Sequence, residues 1–557
     1  MIRVIYTSII SRIPMNDYLI KIIAETLTKL YPDVTLPQIT VEKPRIAEHG
    51  DVATTVALQL TKLVGKPPRV IAQELVDALP QKGSFIQSVE IAGPGFINFR
   101  FSPTWLLERL DEILKKGSEY GRGNLLSGKR YQVEFVSANP TGPLTVGHGR
   151  NAVLGDTIAR LYEWAGASVE REYYFNNAGR QMRVLGSSVS ARYQQLLGSD
   201  IELPDGGYEG EYIKDIAQSI ADEHGDKFMS DVDNPIFKET AEKLIFDDIS
   251  TTLKRMNIRM DSYFNENDLY DSGAIDQVLA RMREKDLIYD MDGAVWFRTT
   301  LFGKEKDTVL VKSTGEPTYR LPDIAYHCNK LDRGFDKCVD VFGADHIATY
   351  PDVLSGLEVL GYDKSRVDVL VYQFVTIVKD GKPFKMSTRK ANFVTLDELM
   401  DEVGSDVTRF FFLMRSPGTH LEFDIAQAKE SGEKNPVFYL QYAFARIQSI
   451  MRKVHETYTF EGEPDLTQLK HDSELKVIKD LLEFPEWILS AAMSMEPHRL
   501  INYLNELATD FHKFYHDCRI LGEDMELAHA RVSVLNAVSM VMANGLSILG
   551  IDAPERM

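Results

Sequence analysis

QVEFVSANPTGPLTVGHGRNAVLGDTIARL, from Gln132 to Leu161, is the stretch whose reading decides the fold. In Gln132–Ala138, Val133 and Phe135 alternate with their neighbours and β-branched residues are present, which predicts a buried strand. Asn-Pro, Thr-Gly-Pro and Gly-His-Gly then break any regular pattern. From about Arg150, Val153, Leu154, Ile158 and Leu161 fall at helical spacing, with Asp156 and Arg160 on the other face. Strand, glycine-bearing turn and helix make the first crossover of a nucleotide-binding α/β sheet. Such sheets hold ligands at the carboxyl ends of their strands and phosphates at a helix N-terminus. The spacing fits neither GxGxxG nor GxxxxGK[ST], so neither of those phosphate mechanisms applies.

A second motif stands far downstream. The apolar strand Val367–Val378 runs into Lys379–Lys390, a polar loop with five cations in twelve residues. Together the two stretches resemble the HIGH and KMSKS motifs of class I aminoacyl-tRNA synthetases, in the form met in the arginyl-tRNA synthetase family. Val146, Gly147 and His148 match the last three HIGH positions, and Thr145 stands in place of the first histidine. Lys385, Met386 and Ser387 match the start of KMSKS. Thr388 replaces its second lysine, with Arg389 and Lys390 next along.

The resemblance implies roles for these residues. Thr145, Gly147, His148, Lys385, Met386, Ser387 and Arg389 would bind ATP, with His148 and Lys385 acting in catalysis. The glycine lets the backbone approach the nucleotide, the imidazole can bond a phosphate, and the cations can balance charge on departing pyrophosphate. Glu134 and Asn139 stand upstream of HIGH where the family's motif has them. Tyr319 and Asp323 match its Tyr-x-x-x-Asp pair, and Asp345 lies in the GADH that follows. These five would read arginine. A carboxylate suits a guanidinium, a planar fork charged at any relevant pH, because it can take two parallel hydrogen bonds from it. Tyr319 is expected to floor the pocket.

The rest of the chain fits the same family in order. Residues 1–118 read as an N-terminal α+β accessory domain with a hairpin at Gly93–Gly95, like the one that contacts the tRNA elbow. Residues 119–425 read as a Rossmann-like catalytic domain on a parallel sheet. About 198–270 of it is an acidic, turn-rich insertion, and the β rhythm resumes at Gly293–Arg298 and Thr308–Lys312. Residues 426–557 read as an all-α helical bundle that binds the anticodon. There the resemblance points to Tyr515 and Met557, while Phe438, Tyr442 and Phe444 read as core. Aromatic stacking on unpaired bases gives such residues a mechanism.

Composition sets bounds. A chain of 557 residues exceeds one core and implies two to four domains. No apolar run reads as long enough to span a bilayer. Cys328, Cys338 and Cys518 are too few and too scattered for a disulfide framework or a zinc site, which fits a reducing cytoplasm. The net charge of −19 argues against loose binding to any polyanion but leaves room for a local basic surface that docks one RNA. Residues 1–14 hold two arginines and no acid, so they are either a short transit segment or residues ahead of a true start at Met15.

The function implied is that of a cytoplasmic, monomeric arginine–tRNA ligase. Its partners would be arginine, ATP with Mg2+ and tRNA(Arg), with no tightly bound metal and no membrane. A nucleotidyltransferase would need no anticodon module, and a glutamate enzyme would want cations where Glu134 and Asp323 stand. An inactive RNA-binding derivative is the remaining rival, kept open by Thr145 and Thr388.

Overall fold

The computed structural model describes residues 15–44, 46–79, 85–379, 381–383, 394–430, 432 and 435–557. Residues 1–14 and the loop holding Lys385, Met386, Ser387 and Arg389 lie outside the described residues.

The centre of the molecule is a five-stranded sheet. Its strands are β1 (Arg130–Glu134), β2 (Ser168–Phe175), β3 (Ser262–Asn265), β4 (Lys337–Gly343) and β5 (Val367–Tyr372), and every neighbouring pair is parallel. The order is β5-β4-β1-β2-β3, so the chain leaves β1 for one side and later crosses to the other. That reversal opens a crevice beyond the carboxyl ends of β1 and β4, where doubly wound sheets bind ligands. Helix α1 (Val146–Trp164) crosses β1 closely: a Cβ added at Gly155 would overlap the Phe135 ring. Helix α2 (Arg320–Asp332) leads into β4.

Several boundaries differ from the sequence reading. β1 stops at Glu134 rather than Ala138, and α1 starts at Val146, so Gly-His-Gly is its first turn. β3 falls inside the stretch read as insertion, which makes the two helices before it, Glu211–His224 and Pro235–Arg255, part of a long β2–β3 crossover. Ala294–Phe297 and Thr308–Val311 join Ile288–Met291 in a separate antiparallel sheet instead of resuming the parallel one. Val367–Val378 is two strands, because Val375–Lys379 pairs with Leu421–Asp424 and Lys382–Pro383. The break falls at Gln373, whose carbonyl accepts from the buried Arg150 guanidinium at 2.5 Å.

Ahead of this sheet stands a four-stranded antiparallel one, ordered Val41–Glu42, Val52–Thr54, Phe96–Phe101, Ile86–Ala92. The helix Met15–Leu30 buries Leu19, Ile23 and Leu27, one turn apart, in the core of this part. After the central sheet come four long helices: Pro436–Thr457, Asp472–Ser494, His498–Asp517 and Met525–Leu549. Asn435 and Asp524 cap the first and last with side-chain oxygens that accept from Val437 and Glu526 amides at 3.1 and 3.0 Å.

The last helix corrects one expectation. Its 25 residues are long and apolar enough to cross a membrane, but 78% of its most apolar window is buried inside the molecule. It touches the other three helices of the bundle, α1 and the helix Pro103–Lys116, so it is apolar all round because it is surrounded.

One buried guanidinium joins these parts. Arg409 donates to Asp156 on α1 at 2.7 Å, to the Met256 carbonyl at 2.6 Å and to the Leu549 carbonyl at 2.9 Å. The two carbonyls close the helices Pro235–Arg255 and Met525–Leu549, so a cation sits where two negative helix ends converge.

Candidate active site

The turn out of β1 is strained and firmly held. Val136 and Ser137 have φ of 66° and 45°, a region costly for a β-branched residue. The Val136 amide donates to Asn151 Oδ1 at 2.6 Å, and Asn151 Nδ2 donates to the Val341 carbonyl of β4 at 2.7 Å. One α1 side chain thus pins both strands that flank the crevice.

Thr145 caps α1. Its amide donates to His148 Nδ1 at 3.1 Å, so that nitrogen accepts and the ring proton lies on Nε2. Burial lowers the imidazole pKa from its ordinary value, which keeps the ring neutral near pH 7. Nε2–H is therefore a donor without a partner among the described residues, at the positive end of a 19-residue helix. At Gly147 an added Cβ would meet only Thr145 Oγ1, at 3.7 Å, leaving the backbone open to a ligand.

The flanks of the basic loop are tied to this turn. The Leu396 amide donates to the Leu144 carbonyl at 2.8 Å, and Thr145 and Thr395 form an antiparallel bridge. Arg150 donates to the carbonyls of Gln373, Thr419 and Ser416 at 2.5, 3.0 and 3.2 Å. The described residues that follow the loop, Thr395 and Leu396, thus lie beside the N-terminus of α1.

Across the crevice lies a buried set of charges. Lys330 Nζ donates to Glu134 Oε2 and, at 2.6 Å, to Asp340 Oδ1. His327 donates from Nδ1 to the Asp323 carbonyl at 2.7 Å and from Nε2 to Asp340 Oδ2 at 2.8 Å, which makes it an imidazolium. Burial works against that charge, but the Asp340 carboxylate outweighs it and raises the His327 pKa. Asp340 is likewise held far below the usual carboxylate range, because Lys330 and His327 overcome its desolvation. Burial pushes Glu134 up against the pull of Lys330.

Glu134 and Asp340 balance Lys330 and His327 one for one. Asp323 stands outside that balance. Its carboxylate makes no hydrogen bond to a described residue, and desolvation pushes its pKa up to about 7. Glu266 adds a second uncancelled charge, held by the neutral donors Tyr174 Oη at 2.7 Å and Asn176 Nδ2 at 2.6 Å. A region with negative charge left over, and donors already used, receives a cation.

The other predicted residues fall as follows. Glu134 has both oxygens engaged, one by Lys330 and one by Ser137 Oγ at 2.9 Å. Asn139 accepts from the Asn176 amide and donates to Gln181, both at 3.0 Å, so it links β1, β2 and the next helix. Tyr319 lies one turn before Asp323, but its side chain is 81% exposed. So exposed a side chain does not floor a pocket in this structure. Asp345 is exposed just past β4 and lies 3.8 Å from His346. His327, Lys330 and Asp340 escaped the sequence reading. A charge within the apolar KCVDVFG, and cations at positions four and seven after Asp323, were the available signals.

Lys330 supports a prediction about stability. Lys330→Met leaves Glu134 buried without its counter-charge and Asp340 with His327 alone, and the loss should be ~3–5 kcal/mol. The two carboxyls would then titrate higher than in the parent, so the loss should shrink as pH falls from neutral toward 5. Urea unfolding at several pH values measures both. A loss under about 1 kcal/mol at neutral pH would contradict the charge balance.

In the bundle, Arg446 lies over the Tyr515 ring at 5.2 Å and the Tyr442 ring at 6.0 Å. Tyr442 is 41% exposed, so it is not core; it shares a helix face with Arg446, whereas Phe444 is buried as expected. The chain end runs along the same helix, with Gln441 donating to the Asp552 carbonyl at 3.0 Å and Arg452 to that of Glu555 at 3.3 Å, and Met557 is exposed.

A switch-point crevice with a neutral histidine donor at the start of α1, set beside the anchored ends of a basic loop, defines the catalytic domain of a class I aminoacyl-tRNA synthetase. Three family descriptions match the chain. They are the arginyl tRNA synthetase N terminal domain over residues 17–101, the class I (R) tRNA synthetase catalytic domain over 109–410 and the DALR anticodon binding domain over 440–557. The chain belongs to the arginyl-tRNA synthetase family. It is 52% identical to the arginine–tRNA ligase of Salinibacter ruber, over 98% of this chain and all of the relative. It is 50% identical to that of Desulfotalea psychrophila, over 93% of this chain and 94% of the relative. Among solved structures, one titled a putative arginyl-tRNA synthetase of Campylobacter jejuni superposes with a TM-score of 0.76 at 32% identity, covering 82% of this chain and 100% of its own. The Thermus thermophilus arginyl-tRNA synthetase shares the fold, with a TM-score of 0.77 at 24% identity, 97% of this chain and 99% of its own.

Proposed function

We propose the following course for the arginine–tRNA ligase reaction of this chain. Arginine lies with its guanidinium on Asp323, in the field that Glu266 adds to, with Asn139, Glu134, Tyr319 and Asp345 around it. ATP arrives as its magnesium complex and lies over the first turn of α1, with Thr145, Gly147 and His148 beneath its phosphates. The ion enters as part of the nucleotide substrate.

The arginine carboxylate oxygen attacks the α-phosphorus in line. The bond to the β-phosphate bridging oxygen breaks, and arginyl-adenylate and pyrophosphate form. A ribose hydroxyl of the terminal adenosine of tRNA(Arg) then takes the arginyl group, releasing AMP and its own proton. No protein nucleophile enters; positioning and charge balance carry the catalysis. His148 donates from Nε2, and Lys385 with Arg389 meets the charge building on pyrophosphate, while Met386 and Ser387 line the same loop.

The single observation that carries this reading is the charge balance that leaves the Asp323 carboxylate unpaired across the crevice from the His148 donor. Arginine-dependent pyrophosphate exchange in the presence of tRNA(Arg) tests it, and no exchange would favour an inactive RNA-binding derivative. In the same assay Lys385→Ala should cost the most, on the order of 10²-fold, and Arg389→Ala and Lys390→Ala should share a smaller loss. Equal, negligible effects at all three would contradict the role of the loop.

The division of labour follows. Residues 1–118 contact the tRNA, residues 119–425 catalyse, and residues 426–557 read the anticodon with Tyr515 and Met557. The aromatic–guanidinium face of Tyr442, Arg446 and Tyr515 suits unpaired bases. We assign the chain to the cytoplasm as a monomer, in keeping with three buried cysteines without disulfides and an apolar last helix used up as core.

A further inference from the structure

The loop between β1 and α1 carries Asn139 at one end and Thr145 at the other. Its ends are tied by Asn176, Gln181, His148 and Leu396. Its middle is held from elsewhere. Tyr212, the second residue of the helix Glu211–His224, donates from Oη to the Thr141 carbonyl at 2.8 Å. Among the described residues this is the only hydrogen bond reaching residues 140–143 from outside the loop.

The contact is built for its ring. A Cβ on Gly142 would lie 2.9 Å from Tyr212 Oη and 3.1 Å from Cζ, and one on Gly210 would overlap the ring itself. Two glycines thus make a slot that any other residue would fill. Burial raises the phenol pKa well above its ordinary value, so the hydroxyl remains a donor at every working pH.

We propose that Tyr212 is a positioning residue for the ligase reaction, set on the β2–β3 crossover to fix the loop that presents Asn139 to arginine and Thr145 with His148 to ATP. It touches neither substrate. It sets the separation of the two binding ends, and so makes the geometry of the amino-acid site depend on where the crossover helix lies. This rests on the residue roles proposed above.

Tyr212→Phe tests it, because the ring keeps its slot and only the hydroxyl is lost. In pyrophosphate exchange the KM for arginine should rise about fivefold, with kcat within about twofold and the thermal midpoint within about 2 °C. Gly142→Ala, which crowds the ring from the loop side, should reproduce the rise. In an Asn139→Ala background Tyr212→Phe should add nothing, since both changes then act through one residue. A KM within 1.5-fold of the parent overturns the proposal, where about fivefold is expected. So does a double variant whose effects simply multiply, or a uniform fall of every constant with the midpoint, since each marks a purely structural contact. Asn139→Ala alone with unchanged arginine kinetics would instead refute the role of Asn139. The cycle is then run with Thr145→Ala on the KM for ATP, and additive effects there overturn the proposal.

Discussion

Alanine at position 148 is expected to slow adenylate formation about 10²-fold, ~2.7 kcal/mol of transition-state stabilisation, while the KM for arginine changes little. The ring is a neutral donor because its Nδ1 is spent on the Thr145 amide and burial disfavours the charged form. Its Nε2–H meets a phosphate oxygen as negative charge grows there, and a hydrogen bond to a developing charge outweighs one to a neutral acceptor. The change also removes a cap from α1, worth ~1 kcal/mol in stability, so activity is measured well below the thermal midpoint. His148→Asn separates the two effects: an amide oxygen can accept from Thr145 while the amide nitrogen donates, and it should keep more activity than alanine. Turnover of His148→Ala within about threefold of the parent would remove the histidine from the ATP site.

How much of this was legible in the sequence depended on the scale of the signal. The crossover at Gln132–Leu161, the hairpin at Gly93–Gly95 and the terminal helices were readable because period and turn chemistry are local. The end of β1 was not, since Val136 is held at positive φ by Asn151, fifteen residues on, against its own preference. The broken strand at Gln373 depended on Arg150, more than two hundred residues away. Ser262–Asn265 is four residues long and carries no strand pattern of its own; its pairing with β2 makes it a strand.

In the site, Asp323 and Tyr319 could be placed by motif, but burial and partners come only with the fold. In the sequence Glu134 and Asp323 are both acids at motif positions, with nothing to show their partners. Lys330 divides them, cancelling Glu134 and leaving Asp323 free. In the bundle, Tyr442 has the helical spacing of core but lies on the face that Arg446 and Tyr515 share.

Asp323→Asn carries the other large effect. It keeps the shape of the side chain, removes the charge and places an amide donor before a guanidinium that can only donate. An unpaired charge in a desolvated site costs ~2–5 kcal/mol, so the KM for arginine should rise about 30-fold or more while that for ATP stays within about threefold. Misfolding would spoil both constants together. The pH dependence adds a second signature. With its pKa pushed up to about 7, the carboxyl of the free enzyme is largely neutral at pH 6. kcat/KM for arginine should therefore climb up to tenfold per pH unit on the acid side and level off above neutrality, and the Asn variant should lack that limb. Stability should run the other way. A carboxyl whose folded pKa lies above its unfolded value of about 3.9 contributes stability at low pH that is lost as pH rises through 7. The parent should thus lose, between pH 5 and 8, thermal stability that Asp323→Asn retains, and saturating arginine should restore it to the parent alone. An Asp323→Asn enzyme with parental arginine kinetics and an unchanged acid limb would move the guanidinium to Asp345 or to Glu134. At Glu134 it would have to displace Lys330 from a carboxylate already balanced.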